Sequence, residues 1–391
     1  MRVAVGCVVA GLLAILLSAF GPKAQFTVDG YDYAIMMLVD RGVPDAQAER
    51  HAAAFFATQP IAKNPLYAPW LHGKPEYWEL FSVRRLDPWL ASLLYPWRGF
   101  AALIDVSRAS YVAVAVLAVL LAARFAGVTL AVGAGAAISL FPAWRDIARD
   151  SLTDPLAIAL TAATLLAAVA CMRRRSIWRL AVFAVLCGAL VFTRPIGYII
   201  AGAAAIAAIA AVRCNDRDTK ITVGWIAAIS ALWTLASVVA LERAHAPSFG
   251  WIVADTYDHM LARGYAPPGE PLARWYVAEE LAILRHALRD ATLAVLPLLA
   301  VVGVALRRAD RATPLLAGAC VATWLGAIVD PSTQDMLRCV VMPIAPVVAA
   351  FAAATIRDAV TLVPVLLGPQ AQPLRLNLPG RSRLRKDTVK E

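Results

Sequence analysis

Charge is what this chain has least of. Only 16% of its 391 residues are Asp, Glu, Lys or Arg, against about 25% in soluble globular proteins. The deficit is local. Ten runs hold no Asp, Glu, Lys, Arg or His at all: 3–20, 109–123, 126–144, 155–172, 180–193, 195–212, 221–241, 291–306, 312–329 and 339–356. Cysteine pairs are missing too. None of Cys7, Cys171, Cys187, Cys214, Cys320 and Cys339 forms a C-x-x-C spacing, so no zinc knuckle or disulfide framework is written here. They read as small buried hydrophobes. The five histidines, His51, His72, His245, His259 and His286, lack an H-x-x-x-H spacing and read as loop or surface residues.

What is present is apolar. Hydrophobic residues make up 60% of the chain and the mean hydropathy is +0.66. A membrane span needs about 20 mostly apolar residues, so the ten runs predict ten spans and an all-α, polytopic transmembrane helix bundle with helical outer loops. The first run reads as an uncleaved span rather than a signal peptide, because no small-x-small site precedes Gly21. Residues 88–106, with Arg98, Asp105 and two prolines, read as a membrane-surface or re-entrant helix.

The net charge of +10 would suggest nucleic acid in a soluble protein. Here it sorts by side. With ten spans, the loops on the side of the termini hold 19 Lys and Arg and 6 Asp and Glu, a net +13. The other side holds 18 and 21, a net −3. The positive-inside rule then predicts both termini in the cytoplasm, with no nucleic-acid partner. The expected organisation is a transmembrane domain over 1–357, with outer loops at 21–108 and 242–290. A basic cytoplasmic tail follows over 358–391 and reads as disordered.

With no ionisable group at mid-membrane, the chemistry is expected at the outer face. Four places carry it. Asp29-Gly30-Tyr31-Asp32-Tyr33 follows the first span, and its acids stand three residues apart, on one face if helical. Asp29 could equally cap a helix over 30–40. Arg145-Asp146-Ile147-Ala148-Arg149-Asp150-Ser151-Leu152-Thr153-Asp154-Pro155 joins spans three and four; its end is also a plain helix start. Arg194, in Thr193-Arg194-Pro195, suits either lipid headgroups or a phosphate. Arg338, at the head of the last span, is a second possible phosphate ligand.

The order and sidedness of these motifs resemble the GT-C superfamily, integral-membrane glycosyltransferases that use polyprenyl-phosphate sugars, and in particular its bacterial members. The resemblance covers roughly residues 1–357. It also draws on Arg84-Arg85-Leu86-Asp87-Pro88-Trp89, Leu94-Tyr95-Pro96 and the basic turn Arg173–Arg175. It implies a catalytic base or acceptor ligand at Asp29, with Asp32 the alternative, and a second acid at Asp154 or Asp150. It implies substrate contacts from Arg84 and Arg85, and a lipid phosphate held by Arg194 or Arg338. The donor would be a polyprenyl-phosphate-linked sugar and the setting a bacterial inner membrane, active face outward. The acceptor stays open among glycan, lipid and protein. A divalent metal is compatible with the acids, but no ligand spacing requires one. The rival expectations are a lipid or sugar flippase or transporter, and a non-catalytic membrane assembly protein. Convergence of Asp29, Asp32, Asp154 and Arg194 on one cavity favours the transferase; dispersal around a rim favours a scaffold.

Overall fold

A computed structural model describes residues 1–19, 25–63, 75–213, 216–262, 264, 266–289, 291–307, 310–325, 328 and 341–367. Helices account for nearly all of them, and the isolated bridge between Gln25 and Asp150 is the one β-type pairing among the described residues. Arg338, most of the basic tail, Cys214, Cys339 and His72 lie outside the described residues.

Each expected apolar run coincides with a helix. These are α1 (Arg2–Ala19), α6 (Ala101–Ala122), α7 (Val128–Leu140), α9 (Asp154–Arg173), α10 (Ile177–Thr193), α11 (Gly197–Val212), α12 (Arg217–Arg243), α15 (Ala291–Leu306), α16 (Thr313–Ala322) and α17 (Ala345–Leu367). Five stretches are long and apolar enough to cross a membrane: α1, α6, α9, α12 and Met342–Leu362. The chain is therefore an all-helical protein with several helices suited to an integral membrane position. The remaining elements are α2 (Val28–Val39), α3 (Asp45–Phe56), α4 (Pro75–Ser82), α5 (Leu86–Arg98), α8 (Pro142–Ile147), α13 (Phe249–Ala262) and α14 (Leu272–Arg289).

The bundle packs through small residues. α1 lies on α6 and α7, α9 on α6 and α10, α11 on α12 and α16, and α15 on α17. At the α6–α7 crossing a Cβ on Gly135 would stand 2.8 Å from the Ala115 carbonyl oxygen, so the backbones touch there. Between apolar helices in lipid, such close approach is the main source of attraction.

Three boundaries differ from expectation. The 88–106 segment is not one helix. α5 ends at Gly99, whose φ of +55° suits glycine, and residues from Ala101 onward start α6. Arg98 bridges the break, donating to Asp105 at 2.5 and 3.2 Å. The run 126–144 is broken at Pro142, which has no N–H to continue α7 and instead opens α8. The final helix continues to Leu367, past the expected domain limit at 357, because Val360, Leu362 and their neighbours prolong the apolar pattern.

α9 and α10 run antiparallel, which fixes two ends of the bundle. The start of α9 and the end of α10 meet at one end, where Arg194 pairs with Asp154. The turn Arg173–Arg175 lies at the other. Arg311 and Asp216, paired at 2.8 Å, and Arg307 and Asp358, at 2.6 Å, sit in or beside connections expected on that second side.

Candidate functional site

At the acidic end, α2 to α5 form a cap over the bundle. α2 starts at Thr27, whose hydroxyl accepts from the Gly30 N–H at 3.2 Å. Thr27, not Asp29, is thus the N-cap, and Asp29 sits free of capping duty in the first turn. The apolar face of α2 (Met36, Met37, Leu38) is fully buried against Ala48, Ala52 and Phe56 of α3 and Ala91 of α5. This packing holds the acidic turn rigidly at the rim of the bundle.

The two acidic motifs dock on each other. Thr27 N–H donates to Ser151 Oγ at 3.0 Å, and Thr27 Oγ1 donates to the Ser151 carbonyl at 3.2 Å. Ser151 N–H donates to the Gln25 carbonyl at 3.2 Å. A Cβ at Gly30 would overlap Ser151 Oγ and lie 2.9 Å from Ser151 Cβ. Glycine is required at position 30 for this contact, which joins the helix of Asp29 and Asp32 to the strand-like stretch of Asp150.

A second thread runs beside the first. Arg84, 8% exposed, donates to Tyr33 Oη at 3.1 Å and lies 4.5 Å over the Phe81 ring. Tyr33 Oη reaches Thr153 Oγ1 at 3.3 Å. Thr153 precedes Asp154, which opens α9 and forms an ion pair with Arg194. Both partners of that pair are largely buried, at 5% and 14% exposure.

Electrostatics single out Asp32. The residue is 9% exposed. Burial, with the Asp29 carboxylate beside it, lifts its pKa from 3.8 to about 7. Asp29 is half-buried. The pair therefore offers an acid that takes and releases a proton near neutrality, next to a second carboxylate.

The other expected residues divide. Arg85 is held away from the acids, in an ion pair with Asp40 at the far end of α2. Burial raises the Asp40 carboxyl while Arg85 pulls it down. Asp150 contributes backbone to the contact with Gln25. Arg194 is committed to Asp154 rather than standing alone. Arg338 falls outside the described residues. Among the described residues no group of three or more His, Cys, Asp or Glu side chains is arranged around a common metal position.

Sequence reasoning gave no role to Gly30, Tyr33, Ser151 or Thr153, which connect the motifs. It also passed over Asp87, which is 1% exposed with Oδ2 lacking a hydrogen-bond partner. Burial drives the Asp87 carboxyl well above the usual carboxylate range. The one available signal was glycine between two acids, a residue that permits close backbone approach.

Compared with known proteins, the chain matches no family model and no curated sequence.

Proposed function

We propose that this protein is a membrane glycosyltransferase. It moves a sugar from a polyprenyl-phosphate donor to an acceptor hydroxyl at the outer face of a bacterial inner membrane. What carries the reading is the docking of the Asp29–Asp32 helix onto the Ser151–Asp154 segment, with Asp32 tuned to about 7. A buried acid poised near neutrality suits general-base work. A non-catalytic assembly partner has no evident use for one.

Asp32 takes the proton of the acceptor hydroxyl, and Asp29 is the alternative base. The acceptor oxygen attacks the anomeric carbon as the bond from that carbon to the phosphate oxygen breaks. The electron pair leaves with the phosphate, and the single displacement inverts the anomeric centre. The Asp154–Arg194 pair and Arg84 border the site and orient sugar or acceptor through their polar edges. Ten spans in a GT-C-like arrangement, with both termini cytoplasmic, agree with the ten apolar helices. The split between an acidic and a basic end agrees with it too.

The test is release of polyprenyl phosphate from a polyprenyl-phosphate sugar by the purified full-length protein. Asp32→Asn is expected to lower turnover by about 100-fold or more, the usual scale of losing a general base. Normal turnover in both Asp29→Asn and Asp32→Asn would rule the assignment out.

A further inference from the structure

A cavity of about 840 Å³ opens among α6, α7, α15, α16 and α17. Its walls are apolar, with Val114, Phe141, Trp144, Pro297, Val348 and Ala352 among them. The volume is that of a pocket for a sizeable ligand, and the lining suits hydrocarbon. Cys320 and Trp324 also line it. Trp144 is 1% exposed and its indole N–H has no partner.

Directly beside Trp144 stands a group of three arginines. Arg145 is its neighbour on α8. Arg149 follows α8, and Arg108 comes from α6, six residues before the cavity residue Val114. Tyr111 joins the two regions: its ring lies 5.8 Å from that of Trp144, and Arg149 feels its hydroxyl. Arg149 is only 3% exposed. Its Nη2 donates to the Leu17 carbonyl at 2.8 Å, at the end of α1, but Nε and Nη1 have no hydrogen-bond partner. The Nε atoms of Arg108 and Arg145 are likewise buried and unpartnered. Burial, then the nearby Arg145, depress the Arg149 pKa, with Arg108 adding to the effect.

The acids nearby offset the group only in part. Asp105 is bound by Arg98 at 2.5 Å and lies 4.0 Å from Arg108. Asp146 is 63% exposed and 3.8 Å from Arg149. Buried guanidinium N–H groups without acceptors are costly, and three together call for an anion with several acceptor oxygens.

We infer that this is a binding site for a long-chain lipid phosphate, the phosphate on Arg108, Arg145 and Arg149 and the chain in the apolar cavity past Trp144. The site differs from the expected phosphate ligands, since Arg194 is occupied by Asp154. It deepens the transferase reading and rests on it only for what the lipid carries. The segment 149–154 links these arginines to the acid cluster along the chain.

The experiment uses full-length protein in detergent, titrated calorimetrically with hexadecyl phosphate, hexadecanol and inorganic phosphate. Hexadecyl phosphate is expected to bind more tightly than either part alone. The double variant Arg108→Gln/Arg145→Gln, at two half-exposed positions, should weaken hexadecyl phosphate by roughly tenfold, about 1.4 kcal/mol, and leave hexadecanol unchanged. Gly133→Phe fills the cavity from α7, where a Cβ meets nothing within 4 Å. It should weaken both long-chain probes and spare inorganic phosphate. Equal affinity for hexadecanol and hexadecyl phosphate, or wild-type affinity in the double Gln variant, overturns the site. Tight binding without sugar transfer overturns the transferase reading and leaves the site standing.

Discussion

Two helical pairs outside the apolar bundle, α2–α3 of the cap and α13–α14, are both amphipathic yet do opposite things. In α2–α3 the apolar faces turn inward, whereas α5 of the same cap leaves Trp89, Leu93 and Trp97 48–77% exposed. Phe26, Phe55, Phe56 and Phe100 interlock, with Phe55 stacked on Phe100 at 4.3 Å and Phe26 edge-on to Phe55 at 4.8 Å. In α13–α14 the packed core is small: Val253, Met260, Ala266 and Trp275. The stripe Val277, Leu281, Leu284, Leu288 on α14 stays 48–71% exposed. Its spacing follows one helix face, the form taken by helices lying at a membrane surface. An apolar stripe in sequence thus says that a face is to be buried, and not whether protein or lipid will bury it. α2 uses its stripe to hold the acidic turn in place; the stripe of α14 is left exposed.

The largest effect expected of that rigid placement is on Asp32. Its carboxyl is raised from 3.8 to about 7 by burial and by Asp29. The folded state therefore keeps a proton that the unfolded chain releases. Below about pH 4 Asp32 costs nothing. As pH climbs toward 7 the folded protein loses stability relative to a variant without the carboxylate, and above 7 the full penalty stands. A shift of this size corresponds to about 4 kcal/mol. Asp32→Asn should be more stable than wild type at pH 8 and equal to it at pH 4, while inactive. Denaturation followed at both pH values would expose the reverse trend, which would mean that Asp32 is stabilised as a carboxylate.

Next in size is the Asp154–Arg194 pair. Both groups are largely buried, so removing one leaves the other's charge buried without this counter-ion. Each of Asp154→Asn and Arg194→Gln should cost about 3–5 kcal/mol, and the double variant less than the sum of the two. Additive losses in a double-mutant cycle would show that the pair is not coupled. By contrast Arg274 of α14 and Glu270, 3.4 Å apart, have Arg274 80% exposed, and such surface pairs contribute about 0–1 kcal/mol.

Smaller again is the contact between motifs. Gly30→Ala pushes a methyl group into Ser151. Overpacking of this kind costs about 1–3 kcal/mol, and it separates the acidic helix from the 150–154 segment. Adding Ser151→Gly relieves the overlap and should recover part of the stability and turnover, the rest being lost with the Ser151 Oγ that accepts from the Thr27 N–H. If Gly30→Ala alone behaves as wild type, the two motifs do not depend on each other.

What could be read from the sequence was what depends on near neighbours. Ten charge-free runs became ten helices because hydropathy is summed over adjacent residues. The acids and arginines of the site were visible as types. Their partners were not. Thr27 and Ser151 are separated by 124 positions, and no periodicity links them. Arg85 and Arg84 looked equivalent, yet one pairs with Asp40 and the other with Tyr33; the direction of each side chain is set by α5 packing on α2. Arg145 and Arg149 were visible in a candidate segment on the outer side, but a sequence shows a charge and not its burial.

The smallest effect tests the comparison from the side of α14. Leu284 is 51% exposed, so Leu284→Ser removes little packing and should change stability in detergent by no more than about 0.5 kcal/mol. Met36, fully buried in the cap, is the control, since Met36→Ala leaves a void worth about 2–5 kcal/mol. A tryptophan placed at Leu284 should be quenched by brominated lipids when the protein is reconstituted, and one placed at the exposed Arg50 on α3 should not. Should Leu284→Ser destabilise the protein as much as Met36→Ala does, α14 is packed on protein. The contrast between the two segments would then reduce to one kind of burial.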